Sequence, residues 1–168
     1  MKVTVVKEDF REGIQRVRHV VSNRTTLPIL SNVLLEADGD SLRLTTTDLD
    51  VGVTGSVKAK VTKPGSTTLP ARRLAGIVRE LPTDEISIEV TSKDVASIKS
   101  GPSFFKILGL AKDEFPPLAT FEDANEYKIE QKVFKEALKM TSYAISNDET
   151  RYVLNGILCS FKEGLLTL

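Results

Sequence analysis

Few residues of this chain are of types that could do chemistry. Asp48 and Asp50 follow three consecutive threonines and could hold a divalent metal for a hydrolase, but no third ligand is near them in sequence, and a turn at a strand end is the simpler interpretation. His19 is the only histidine and Cys159 the only cysteine. The chain therefore has too few of these residues for a disulfide or a cysteine–zinc site, and almost none for histidine-based catalysis. No glycine-rich phosphate-binding motif is present. The sequence therefore predicts no metal, no cofactor and no catalytic residues.

Cationic side chains recur on one face of each predicted helix. Helices predicted at 7–22, 71–81 and 131–146 have net charges of +1, +2 and +2, whereas the whole chain is neutral, so the rest is acidic. The stripes are Arg11, Gln15, Arg18 and Ser22; Arg72 and Arg79; and Lys135, Lys139, Ser142 and Ser146. Such faces can lie along nucleic-acid phosphates without reading bases. A solvated face with pairs such as Glu12 with Arg16 explains the pattern equally well.

The hydrophobic pattern supplies the elements that must position these stripes. Apolar residues recur at helical spacing in each of the three helices, as in Phe10, Ile14 and Val17. Short segments with a period of two predict strands at 1–6, 33–35, 42–44, 51–53, 86–90 and 105–107. Asp38-Gly39-Asp40 predicts a hairpin turn, and Pro64-Gly65 is expected to end the first run of strands. The pattern predicts an α+β fold with antiparallel sheets, built from two units of a strand, a helix and about three strands.

A sequence repeat divides the chain. The paired segments, at an offset of 124, are Phe10-Arg11-Glu12 with Phe134-Lys135-Glu136, Ile14 with Leu138, and Val21-Ser22-Asn23 with Ile145-Ser146-Asn147. The segment 32–35 also returns, at 155–158. A repeat of this kind indicates a second module like the first. With a linker at 115–118, we expect one domain at 1–120 and the first half of another at 121–168, so that the chain is a fragment of a longer protein.

Two further patterns bear on surface and location. Phe104 and Phe105 are adjacent in a predicted strand, so one ring is expected in the core and the other exposed as a pairing surface, unless both tuck under a loop end. A protein-interaction module that uses this edge and binds no DNA is therefore an alternative function. Cys159 alternates with Ile157 and Phe161 and is expected to be buried in a strand. No long apolar run or signal-peptide core is present, which predicts a cytoplasmic protein with no membrane partner.

Five ordered motifs resemble the bacterial sliding clamps, the beta subunits of DNA polymerase III. They are Arg24-Thr25-Thr26-Leu27-Pro28-Ile29-Leu30-Ser31-Asn32, Thr47-Asp48-Leu49-Asp50, Leu69-Pro70-Ala71-Arg72-Arg73-Leu74, Phe115-Pro116-Pro117-Leu118 and Arg151-Tyr152-Val153-Leu154-Asn155-Gly156. The resemblance extends along the whole chain. It implies the DNA-clamp fold, with antiparallel sheets outside and paired helices lining a pore around duplex DNA, and with one complete clamp domain plus half of a second in this chain. Subunits of this family have three such domains, and two subunits close head to tail into a ring.

The resemblance also implies roles for individual residues. Those matched to DNA contacts are Arg24, Arg72, Arg73, Lys135, Lys139, Arg151 and Tyr152. Phe104, Phe105 and Lys106 match the strand that joins another subunit, and Leu154 matches one wall of the pocket for partner peptides. The implied function is that of a non-catalytic processivity factor, a homodimer in full-length form. Its implied partners are double-stranded DNA and, through peptide motifs, the catalytic subunit of DNA polymerase III and the clamp loader. The third domain and half of the second have no counterpart in the sequence.

Overall fold

The computed structural model describes residues 1–21, 27–118, 126–146 and 148–168, without the side chains of residues 149, 151 and 152. The chain forms two compact units, Met1–Ala119 and Thr120–Leu168. The strands of the first unit are β1 Lys2–Val6, β2 Asn32–Asp38, β3 Ser41–Thr47, β4 Gly52–Lys63, β5 Gly65–Pro70, β6 Glu85–Val90, β7 Val95–Ser100 and β8 Ser103–Leu108. Its helices are α1 Lys7–Val17 and α2 Ala71–Glu80, with 3-10 turns at Arg18–Val20, Pro28–Ser31 and Lys112–Glu114.

The strands of the first unit form one antiparallel sheet in the order β5-β2-β3-β4-β1-β6-β7-β8. Along the chain, β1-α1-β2-β3-β4 is followed by β5-α2-β6-β7-β8, which confirms the predicted pair of strand–helix–three-strand units. β4 joins the two halves of the sheet, because its residues 52–58 pair with β3 and its later residues pair with β1. The turn between β2 and β3 is also as predicted, with Gly39 at a positive φ of 55°.

The first helix is shorter than its apolar pattern predicts. It ends at Val17 and is followed by a 3-10 turn. The Thr46 hydroxyl on β3 donates a hydrogen bond of 2.6 Å to the Val17 carbonyl, and the Val21 amide donates to the Arg18 carbonyl. The Val21 amide thus bonds three residues back instead of four, so the α-helix is replaced by a tighter 3-10 turn next to this contact with the sheet.

The sheet nearly closes on itself beyond β8. The Thr68 amide donates to the Leu110 carbonyl at 3.0 Å and the Leu110 amide donates to the Thr68 carbonyl at 3.1 Å, so the segment after β8 bridges to β5 at the opposite end. Gly109 makes this approach possible, because a Cβ there would lie 2.2 Å from the Thr68 carbonyl oxygen. Asp94 supports the closure by accepting bonds from the Gly109 amide and, through its side chain, from the Thr67 hydroxyl.

Two strands of the first unit have no counterpart among the sequence predictions. The prediction that Pro64-Gly65 ends the first run of strands is confirmed, since β4 ends at Lys63 and Gly65 begins β5, the first strand of the second strand–helix–three-strand unit. β5 was not predicted because it is rich in threonine and serine, yet Thr67 and Thr68 are fully buried with their hydroxyls hydrogen-bonded. β7 also lacks a long apolar run, because only alternate residues face the core.

The second unit has little interior. Its elements are α3 Gln131–Thr141, 3-10 turns at Ser142–Ala144 and Glu149–Leu154, and a hairpin of β9 Ser160–Lys162 and β10 Leu165–Thr167. None of the side chains described in this unit is buried. Phe161 of the hairpin stacks on Tyr127, with ring centroids 4.2 Å apart. The prediction that Cys159 is buried is wrong: it is exposed just before β9, because a two-stranded hairpin has no second layer to cover it.

None of the helices described is long and apolar enough to cross a membrane.

Candidate nucleic-acid interface

A cationic groove runs between α1 and α2 of the first unit. Both helices turn their apolar sides to the sheet, where Phe10, Ile14 and Val17 of α1 and Leu74 and Val78 of α2 are buried. The sides on which the two helices face each other bound a groove of about 320 Å³, with the buried Ile14 and Val78 among its lining residues. Its lining residues are Arg11, Ile14, Gln15, Arg18, Arg72, Ala75, Gly76, Val78 and Arg79. The stripe predicted on the first helix and the pair predicted on the second therefore meet in one concave surface.

Some of these arginines form ion pairs with carboxylates on the same helices. Arg11 donates two hydrogen bonds to Glu8, one of them at 3.0 Å from Nε, and this pairing raises the pKa of Arg11 and lowers the pKa of Glu8. Arg79 Nε lies 2.7 Å from a Glu80 carboxylate oxygen. Outside the groove lining, Arg16 is paired with Glu12 at 2.8 Å.

Arg18 and Arg72 differ from their neighbours in the groove. In the described part of the chain, no carboxylate oxygen lies within 4.0 Å of either guanidinium. The unpaired positive charge of the groove is therefore centred on these two residues. Gln15 adds a neutral polar side chain between the arginines of α1. Such a surface can attract phosphates by charge and by guanidinium hydrogen bonds.

Not all the residues predicted on the cationic helices lie in this groove. Arg73 is exposed but is not one of the groove-lining residues, although it directly follows Arg72. Ser22 and Arg24 lie outside the described residues. Gly76 lines the groove and had no predicted role. Its position one helical turn after Arg72 is the only sequence signal that could have indicated it.

The second unit has its own set of predicted contacts. Lys135 and Lys139 are exposed on α3, and no carboxylate among the described residues lies within 4.0 Å of them. Arg151 and Tyr152 belong to the 3-10 helix Glu149–Leu154, but their side chains lie outside the described part of the chain. Leu154, at the end of that helix, is 52% exposed, and its carbonyl accepts a bond of 2.9 Å from the Ser146 amide.

The two adjacent phenylalanines lie on β8, the last strand of the sheet. Phe104 is 50% exposed and Phe105 is 39% exposed, so the prediction that one ring enters the core is wrong, and so is the alternative that both tuck under. Along β8 only Ile107 is buried, so the core does not extend to either ring. The ammonium groups of Lys99 and Lys106 lie 5.5 and 5.6 Å from the centre of the Phe104 ring, within cation–π distance.

The Asp48 segment is a turn, as the simpler interpretation held. One carboxylate oxygen of Asp48 accepts bonds from the amides of Asp50 and Val51, at 3.1 and 2.7 Å. Leu49, between Asp48 and Asp50, has a positive φ of 86°. Nowhere in the described ranges do three or more His, Cys, Asp or Glu side chains group in a way that could hold a metal ion. The hydrolase hypothesis has no support from this geometry.

Comparison with known proteins gives a consistent result. Residues 1–119 match the family model described as DNA polymerase III beta subunit, N-terminal domain. The beta sliding clamp of Chlamydia muridarum is 37% identical over 168 residues, which are 100% of this chain and 46% of that protein.

Solved structures agree. The sliding clamp of Bartonella birtlesii, crystallised with griselimycin, superposes with a TM-score of 0.91 at 39% identity, covering 97% of this chain and 44% of that one. The Pseudomonas aeruginosa clamp bound to griselimycin gives 0.92 at 36% identity, covering 99% and 45%. The chain thus spans less than half the length of these relatives. Its fold is the α+β clamp fold, and the chain belongs to the DNA polymerase III beta subunit family.

Proposed function

We propose that this chain forms part of a DNA sliding clamp, a non-catalytic processivity factor that encircles duplex DNA and tethers a replicative polymerase. The observation that carries the proposal is the groove between α1 and α2, where Arg18 and Arg72 have no carboxylate partner among the described residues. Family membership supports the same function. In this proposal residues 1–120 are the first clamp domain and residues 121–168 the first half of the second.

Cationic helix faces on a neutral protein suit a clamp that must slide. Exposed guanidinium and ammonium groups attract phosphates at long range and without sequence preference. Because the total charge is zero, the rest of the surface does not add to non-specific binding. The proposed DNA contacts are Arg24, Arg72, Arg73, Lys135, Lys139, Arg151 and Tyr152.

Protein partners would use other surfaces. Phe104, Phe105 and Lys106 on the free edge of β8 are proposed to join another subunit in a homodimeric ring, because an exposed strand edge with apolar rings is a ready pairing surface. Leu154, half exposed, is proposed to form part of the pocket for peptide motifs of the polymerase catalytic subunit and the clamp loader. The proposed compartment is the cytoplasm, where the chromosome of a bacterium is replicated.

The decisive test compares DNA of two shapes. This chain, and a version extended by the remainder of a sliding clamp, are loaded by a clamp loader onto nicked circular DNA, and retention is measured before and after the circle is cut. We expect the extended protein to stay on circles and to leave linear DNA. Equal retention on both shapes, or on neither, would contradict a topological clamp.

Charge reversal sharpens the test. Lys135→Glu combined with Lys139→Glu in the extended protein is expected to lower loading and its salt dependence. Lys128→Glu combined with Lys162→Glu changes the net charge equally and lies off α3, so it should have a smaller effect. Partner binding that is insensitive to salt, together with DNA retention that neither pair of substitutions changes, would instead favour an interaction module that uses the β8 edge.

A further inference from the structure

We infer that the groove between α1 and α2 is a discrete site for one phosphate group, held by Arg18 and Arg72, rather than one patch of a diffuse positive field. The inference rests on the proposed function, which requires only that the helices be cationic. The inference gives different roles to arginines that cannot be distinguished from the sequence.

The first argument is electrostatic. Four guanidinium groups line one groove, and two of them, Arg11 and Arg79, are held by Glu8 and Glu80 on their own helices. The remaining two have no such partner among the described residues. Positive charges in a shared groove repel one another, and an anion bound between them relieves that repulsion. Phosphate also matches the fork of donors that a guanidinium presents.

The second argument concerns shape. The groove has a volume of about 320 Å³, at the lower end of sites that hold small ligands. Gly76 lines it in the middle of α2, where glycine weakens a helix. Packing does not explain this glycine, because no heavy atom lies within 4 Å of where its Cβ would be. A side chain at this position would instead enter the groove. We conclude that Gly76 keeps the groove open between the arginines.

Adjacent arginines of α2 offer a matched test. Arg72→Gln and Arg73→Gln remove the same charge from neighbouring exposed positions, but only Arg72 lines the groove. Binding of the 168-residue chain to a mixed-sequence 16-base-pair DNA duplex would be followed by NMR, through the Nε–H signals of the arginines, at several salt concentrations. We expect Arg72→Gln to weaken binding about 3- to 10-fold and to lower the salt slope by about 0.9, as for one lost phosphate contact. Arg73 is a proposed DNA contact outside the groove that acts at long range, so Arg73→Gln should weaken binding less than Arg72→Gln, by about twofold.

A steric probe and a simpler ligand complete the design. Gly76→Gln fills the groove without changing charge, so it should weaken binding like Arg72→Gln while leaving the Tm unchanged or raised. Inorganic phosphate alone should shift the Arg18 and Arg72 signals to saturation and leave the Arg73 signal in place. A midpoint near that of the duplex would identify a free-anion site, whereas much tighter duplex binding would identify the nucleic-acid backbone as the ligand.

The possible failures can be told apart. Equal losses for Arg72→Gln and Arg73→Gln, with no effect of Gly76→Gln, would overturn the discrete site and leave a clamp with a diffuse field intact. Absence of duplex binding would count against the proposed function, and the groove would then be judged by phosphate alone: a saturable shift of Arg18 and Arg72 supports the site, and an unsaturable one overturns it.

Discussion

α1 and α3 carry the same sequence pattern but differ in what covers them. In α1, Phe10 and Ile14 are 0% and 1% exposed, whereas their repeat partners Phe134 and Leu138 in α3 are only half-buried. Both segments form helices of 11 residues. The comparison teaches that amphipathic spacing is sufficient to specify a helix but not to bury it.

The first unit supplies what buries α1. The helix packs against β3, β4 and α2, and its apolar face joins one core cluster that extends across the sheet. Burying a side chain such as Phe or Ile contributes about 1.5–3 kcal/mol. The described part of the second unit offers α3 no comparable sheet, so the same residues contribute less there. Four predictions test this contrast, from the largest expected effect to the smallest.

Truncation of the repeated phenylalanine should affect the two units very differently. Phe10→Ala is expected to lower the free energy of unfolding by about 3–5 kcal/mol, because it leaves a cavity in a packed core. Phe134→Ala, at the equivalent position of α3, should cost less than about 1 kcal/mol. Urea unfolding followed by circular dichroism measures both. Equal losses would mean that α3 is covered as fully as α1.

Replacing a glycine by alanine should also affect the stability of the two units differently. Gly109→Ala would place a Cβ 2.2 Å from the Thr68 carbonyl oxygen, so the bridge that closes the sheet must open, and we expect a loss of about 2–3 kcal/mol. Gly156→Ala is the control in the second unit, since nothing lies within 4 Å of its Cβ position and little change is expected. Thermal unfolding of the two variants gives the comparison. A Tm for Gly109→Ala close to that of the unchanged chain would show that the closure contributes little.

The rate of thiol modification should show that residues of the second unit are exposed to solvent. Cys159 is exposed, so a thiol reagent should modify it in the native protein within about threefold of its rate in urea-unfolded protein. A cysteine at the fully buried Ala96, introduced by Ala96→Cys with Cys159→Ser, should be slowed about 30-fold or more. Strong native protection of Cys159 would mean that the hairpin is covered in solution, for instance by a second copy of the chain.

The smallest effects should come from two surface carboxyls, one in each unit. The Arg11 hydrogen bond lowers the pKa of Glu8 below 4.5, and the Thr150 hydroxyl and amide lower the pKa of Asp148 below 3.8. Because both folded pKa values are lowered, each carboxyl stabilises its fold at higher pH, and this contribution is lost as the pH falls through the folded pKa.

Salt separates the two causes. The Glu8 shift depends on an ion pair and should shrink in 1 M salt, whereas the Asp148 shift depends on neutral donors at 2.6 and 2.9 Å and should remain. Carbon-detected NMR titration at low and high salt measures both. Identical salt responses would show that the Arg11 charge is not the cause at Glu8.

Most of the fold was predictable from local pattern, and its exceptions have physical causes. The helix at 71–81, the hairpin at Gly39 and the two repeated strand–helix–strand units follow from spacing alone, and the structure confirms them. β5 was not predicted because its buried threonines are polar, and their hydroxyls are satisfied by residues distant in sequence: Asn32, Asp94 and the Leu110 carbonyl of the closing segment.

The candidate site was also predictable only in part from the sequence. Sequence spacing was sufficient to find the cationic stripes, because residues three and four apart share a helix face. It did not separate Arg72 from Arg73, or the paired Arg11 from the unpaired Arg18, because those differences depend on which face meets the other helix and on where the nearby carboxylates lie.

The sequence by itself determined the helices, most strands, the repeat and the sorting of charge onto helices, since all of these are set by residues near one another in the chain. Only the tertiary structure decided where α1 ends, that the sheet returns on itself at Gly109, that both rings of β8 are exposed, and that two helix faces form one groove. These features depend on contacts between residues that are distant in sequence, and such contacts are set by packing rather than by local propensity.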